Sequence, residues 1–255
     1  MDNRTIWETA RWQSAVDAGC RPEDFLRTDN VVVPSRANPG ARRYLTLPFD
    51  CHLISYGSNI VASVQPALSG LVRRYIDRYP AEHCFETPNL HVLNDGLQRH
   101  GLRVCFMAEY FLPDLSLLRP LSCPYETRLL TPGDFKDLYL PQWSNALCEK
   151  RKQLDVLGLG AYDGQKLIGL AGCSADCGEM WQIGIDVLPE YRRAGVASAL
   201  TSGLALEIVK RGKAPFYCAA WSNIKSVRNA VRCGFRPAWV ELTAREAGFV
   251  AEQNR

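Results

Sequence analysis

Two adjacent arginines, Arg192 and Arg193, run into Ala194-Gly195-Val196-Ala197, and Val196, Leu200, Leu204 and Ile208 then repeat at helical spacing. The first turn of a helix carries backbone N–H groups with no partner inside the helix and a partial positive charge. Small side chains at 194, 195 and 197 let an anion come close to those groups, and the two guanidinium groups add formal charge. That combination suits the cradling of a phosphate or pyrophosphate. The chain has no GxxxxGK[ST] loop and no GxGxxG after a strand, which excludes the commonest nucleotide loops. Paired arginines on a surface loop and a glycine at a strand-to-helix junction also occur with no ligand at all, so the motif alone leaves both readings open.

Two carboxylates lie just upstream, Glu179 and Asp186, around the run Met180–Leu188. Side chains alternate along a strand, so Glu179 shares a face with Trp181 and Asp186 points to the other. Each is a candidate general base, with a solvated or structurally paired carboxylate as the alternative. The four histidines (52, 83, 91 and 100) fall in the first 100 residues and have no evident partners. The one close cysteine pair, Cys173 and Cys177, lacks a second such pair and a nearby histidine, so no metal is expected. Several of the ten cysteines sit in apolar runs and read as buried, reduced thiols. The N-terminus has no apolar signal core, and no apolar run approaches the ~20 residues that span a bilayer. A cytoplasmic protein with no membrane partner is the expectation.

The elements that must position these groups can be read from period and punctuation. In the second part of the chain, a strand at 125–130 precedes two short proline-led helices within 131–152. Two strands then flank Asp163-Gly164, the strongest short hairpin signal in the chain. The strand 180–188 leads into the 196–210 helix. A strand near 215–221, a helix over 223–233 ended by Gly234, and a last strand complete the order β-α-α-β-β-β-α-β-α-β. The first part is also mixed: helices at 3–18, 66–79 and 88–100, a hairpin around Tyr56-Gly57-Ser58-Asn59, and a strand near 103–112. Pro113, Pro120 and Pro124 break the stretch 112–126. The boundary is therefore expected near residue 118, dividing an N-terminal mixed domain (1–118) from a C-terminal one (119–255), within an α/β (α+β) fold class. A composition of 47% apolar and 22% charged residues excludes a disordered chain, and a net charge of +3 is too small to argue for nucleic acid.

The loop Arg192-x-x-Gly195-x-Ala197 resembles the [RQ]-x-x-G-x-[GA] pyrophosphate loop of the GNAT acyltransferases. Its lead-in "IDVLPEYRR" is similar to that family's, and Asn223, Ser226, Gly234 and Phe235 resemble its second signature. The resemblance covers about residues 125–245. It implies acetyl-CoA as donor and direct transfer to an amine of a small molecule or peptide. It also implies that Arg192, Arg193, Ala194, Gly195, Val196 and Ala197 hold the pyrophosphate, that the backbone of Ile185 and Val187 runs beside the pantetheine and acetyl group, and that Asn223 and Ser226 line the opposite wall. Two departures stand out. Ala230 occupies the place where many members carry a tyrosine as proton donor, and Trp181 the place where others carry a glutamate base. The rival reading is a non-catalytic acetyl-CoA-binding protein that regulates or binds a partner.

Overall fold

Proline, glycine and the period of the apolar residues divide the chain into six helices and ten strands, and the computed structural model describes residues 1–255. In order these are α1 (Asn3–Ala18), β1 (Val31–Pro34), β2 (Cys51–Ser55), β3 (Val61–Val64), α2 (Ser69–Ile76), α3 (Thr87–Gln98), β4 (Leu102–Pro113) and β5 (Glu126–Leu130). There follow β6 (Asp155–Asp163), β7 (Lys166–Ser174), β8 (Met180–Val187), α4 (Val196–Lys210), β9 (Ala214–Ala219), α5 (Ile224–Arg232), β10 (Phe235–Glu246) and α6 (Ala247–Gln253). The protein is mixed α/β, and its strand pairings are mixed as well.

Two compact units share these elements. One is Met1–Ala10 with Tyr110–Pro237; the other is Arg11–Glu109 with Ala238–Arg255. The chain thus passes between units three times, where the sequence suggests one boundary near 118. The prolines at 113, 120 and 124 do end regular structure, but the stretch between them is packed rather than a free linker. Leu118 is buried in the core of the first unit, Asn3 Nδ2 donates to Asp114 at 2.9 Å, and the Leu121 N–H reaches Ser202 Oγ.

In the unit of residues 11–109 and 238–255, β1, β3, β2 and β10 are neighbours in that order. β1 and β3 are parallel, while β2 and β3 form the expected hairpin and β10 pairs antiparallel with β2. One face packs on α2 and α3 through Leu53, Val72, Leu93 and Leu242. The other buries charge. Arg42 contacts Asp17 through Nε and Glu241 Oε1 through Nη2 at 2.6 Å; His52 Nε2 and Trp239 Nε1 also meet Glu241, at 3.2 and 2.7 Å. Burial pushes the Glu241 carboxyl up, but Arg42 and His52 outweigh it and hold the group well below the usual glutamate range. Removing one member of such a set leaves a buried charge uncompensated. β1 was not anticipated, because four residues ending in a proline give too short a period to separate from a loop.

In the unit of residues 1–10 and 110–237, β9, β8, β7, β6 and β5 lie in that order, antiparallel except for β8 with β9. The hairpin between β6 and β7 forms, with Asp163 paired to Lys166, so that Gly164 and Gln165 make the turn. Leu157, Ile168, Ile183 and Val187 on one face pack on Val196, Leu200, Leu204 and Ile208 of α4. Phe135, Trp143 and Leu147 cover the other face. The segment 131–152 forms short 3-10 turns instead of two helices.

Candidate functional site

β8 is paired on one side for most of its length and on the other only at its start. Gln182 to Val187 match β7 from Ser174 to Gly169, whereas β9 pairs only through Met180↔Ala214, Trp181↔Pro215 and Gln182↔Phe216. From Ile183 onward the two parallel strands part. The backbone of Ile185 and Val187 therefore lies where β8 has no strand partner on its β9 side, although β7 continues beside it. Polar backbone groups left this way are the natural partners of an extended, amide-bearing ligand.

The chain turns at the end of β8 into the arginine loop. Gly195 caps α4 with φ +82°, a left-handed conformation that costs glycine little. Arg193, at φ +67°, adopts the same region without that excuse. Such strain persists where the surroundings over-determine the backbone, and it gathers at ligand sites. The surroundings here are firm: Tyr191 donates to Asp163 at 3.0 Å, Lys166 pairs with Glu190 at 3.0 Å, and Arg192 Nε donates to the carbonyl of Val187 at 2.9 Å. The first free amides of α4, at Val196 to Ser198, open on a cavity of 170 Å³ between Val187, Tyr191, Arg192, Arg193 and Arg232. All six residues from Arg192 to Ala197 are thus brought to one place, with Ala194 exposed and Ala197 half-buried.

On the opposite wall, Asn223 caps α5 and accepts from the Ser226 N–H at 3.3 Å. Ser226 Oγ lies 2.7 Å from the hydroxyl of Tyr217. Tyr217 is the first β9 residue beyond the pairing with β8, and only 3% exposed. Burial raises its pKa, which keeps the phenol protonated. No sequence signature marks it: within "PFYCAAW" it reads as one more apolar strand residue, and the absent tyrosine at Ala230 draws attention one helix away. Arg232 is the other group that sequence reasoning missed.

The two candidate bases are placed differently. Glu179 precedes β8 at the end where β8 and β9 are still paired, and its half-exposed side chain meets Lys213 Nζ at 3.1 Å. At ~3.3 Å per residue it stands roughly 13 Å along the strand from Ile183. Asp186 receives three N–H donors from a crossing loop: Asn145 N at 2.8 Å, Asn145 Nδ2 at 2.6 Å and Ala146 N at 3.0 Å. That loop presses on the sheet where it has no side chains. A Cβ on Gly184 would fall 1.8 Å from the Asn145 carbonyl oxygen, and one on Gly172 2.0 Å from that of Ala146. His52 lies within the other unit's buried charge set, and His83 pairs with Glu86 at 2.9 Å. No group of three His, Cys, Asp or Glu side chains could hold a metal ion, none of the ten cysteines is in a disulfide, and no helix is long and apolar enough to cross a membrane.

Residues 117–238 match the model of the GNAT acetyltransferase family. Among solved structures, a GCN5-related N-acetyltransferase from Kribbella flavida aligns with a TM-score of 0.52 at 14% identity, over 76% of this chain and 84% of that one. A GNAT-family structure from Novosphingobium aromaticivorans is 19% identical with a TM-score of 0.43, over 56% of this chain and 66% of that one. A GCN5-related N-acetyltransferase-like protein from Streptococcus suis is 20% identical with a TM-score of 0.45, over 62% and 69%. At 14% identity the likeness to the Kribbella flavida protein is one of fold. No curated protein matches the chain.

Proposed function

Residues 117–238 of this chain belong to the GNAT acetyltransferase family, and from that premise we propose that the protein is an N-acetyltransferase that moves an acetyl group from acetyl-CoA to an amine. The observation that carries the reading is a juxtaposition along one strand. The parting of β8 from β9 at Ile183 leads along the rest of β8 and one turn to the amide-lined, arginine-bearing cavity at 192–198. The pyrophosphate binds the amides of Gly195 to Ser198 together with Arg192 and Arg193. The pantetheine arm lies along Ile185 and Val187, with Asn223 and Ser226 across from it. The thioester then sits at the parting of the strands, where backbone amides polarise its carbonyl.

The amine nitrogen attacks the carbonyl carbon, the new C–N bond forms, and the C–S bond breaks with its electron pair leaving on sulfur. Tyr217, buried and paired with Ser226, supplies the proton to that thiolate in this reading, taking the role that Ala230 cannot. The amine gives up its proton to water. Glu179, whose Oε1 meets Lys213, stands at the far end of β8, and both oxygens of Asp186 accept N–H donors from the loop at 145–146.

The test is calorimetric titration of CoA into wild type and Gly195→Glu. The substitution places a carboxylate where the phosphates bind and is expected to abolish binding, while circular dichroism shows a folded protein. Undiminished affinity in a folded variant removes the basis of the reading.

A further inference from the structure

The phosphate cavity contains a cation that its own loop does not supply. Arg232, in the last turn of α5, lines it together with Arg192 and Arg193. Its position is built by the contact between α5 and α4. Ser198 Oγ donates to Asn229 Oδ1 at 3.1 Å, Asn229 Nδ2 donates to Thr201 Oγ1 at 3.0 Å, and Cys233 Sγ donates to the Ser198 carbonyl at 3.3 Å. Ser198 and Thr201 are 8% and 0% exposed, and hydrogen bonds in such surroundings are strengthened by the low local dielectric. Asn229 and Cys233 flank Arg232 in sequence, so the end of α5 is fastened to the very turn whose amides open on the cavity. Arg232 itself is exposed and has neither an ion pair nor a hydrogen bond within the protein.

The cradle therefore has more cations than a diphosphate on a helix N-terminus requires. The amides of the first α4 turn and Arg192, already anchored to Val187 through Nε, can meet a diphosphate by themselves. Coenzyme A carries a second anionic group, the 3′-phosphate of its ribose, chemically separate from the diphosphate. A guanidinium fork matches a phosphate by two parallel hydrogen bonds. We propose that Arg232 is a specificity-determining residue that takes this 3′-phosphate, so that the protein distinguishes coenzyme A from 3′-dephospho-coenzyme A. The inference rests on the acetyl-CoA reading of the cradle and adds to it which phosphate each element meets.

Calorimetry with the two ligands, on wild type and on Arg232→Ala at one fixed ionic strength, tests it. Wild type is expected to bind coenzyme A roughly ten- to a hundredfold tighter than the dephospho form, the worth of a charge-assisted contact. Arg232→Ala is expected to lose that preference while its affinity for the dephospho form stays within about twofold of wild type. Asn229→Ala, which keeps the arginine but loosens its footing, is expected to lose part of the preference. Equal losses for both ligands in Arg232→Ala would move the residue to the diphosphate and overturn the proposal, as would a wild type that binds both ligands equally. A wild type that binds neither removes the cradle reading and this inference together, whereas binding of both leaves the cradle standing whatever Arg232 does.

Discussion

Tyr217 brings a hydroxyl to the point where two parallel strands separate, and Ser226 fixes its direction at 2.7 Å. If that hydroxyl protonates the leaving thiolate, Tyr217→Phe keeps the ring in the core and removes only the acid. Turnover is then expected to fall about a hundredfold, the lower end of what positioned acids contribute, with the KM for acetyl-CoA unchanged. A fully active Tyr217→Phe would return the proton to water. Asp155 supports a separate expectation. It is 2% exposed, it accepts from Cys148 N at 3.0 Å, and burial raises its pKa from 3.8 to about 6. The folded state thus holds a proton that the unfolded chain releases, so stability falls as the pH rises from about 4 to about 6. The loss is on the order of 2–3 kcal/mol. Asp155→Asn is expected to flatten that part of the stability profile in urea titrations at several pH values; an unchanged slope assigns it to another group. The sequence did not disclose either residue, because burial and a hydrogen-bond partner outside its own strand decide both.

At the scale of elements, what was local was legible. The arginine loop, the strand before it and the Gly195 cap all lie within about twenty consecutive residues, and residue types alone placed them correctly next to one another. The α4–α5 contact was not legible. Ser198, Thr201 and Ser202 read as the wet side of an amphipathic helix, yet all three are buried, because Asn229 and the Leu121 N–H satisfy their polar atoms from distant segments. The segment 131–152 likewise has helix-start prolines but lies as turns across β7 and β8, where Gly172 and Gly184 leave room for backbone alone. The open edge of β8 yields a measurement. Backbone amides of Ile183 to Val187 that do not bond to β7 are expected to exchange with deuterium quickly in the free protein and to be protected when acetyl-CoA is added. Protection confined to 193–198 would mean that the phosphates bind while the pantetheine arm takes another course.

For the whole molecule, the three prolines suggest a cut near 118, and residues on both sides of it pack in one core. A fragment of residues 120–255 lacks Phe111, 0% exposed, and Leu118, 8% exposed, from the core of its own unit. Loss of a fully buried phenylalanine alone costs roughly 3–5 kcal/mol, a large share of a domain's stability. The fragment is therefore expected to melt without a cooperative transition, against a sharp one for the full chain in calorimetry; a cooperative fragment would show that 120–237 folds on its own. The same division of the chain constrains its birth on the ribosome. Arg42, Asp17 and His52 are made early, but Glu241 lies beyond the whole span 110–237. At about 5–20 residues per second, that span takes on the order of ten seconds to translate. Throughout that interval β2 presents an unpaired edge, and a guanidinium destined for burial waits for its second carboxylate. A nascent chain halted near residue 237 is thus a sticky, half-closed object, and the unit begun at residue 11 can finish folding only after residues 238–246 have been made.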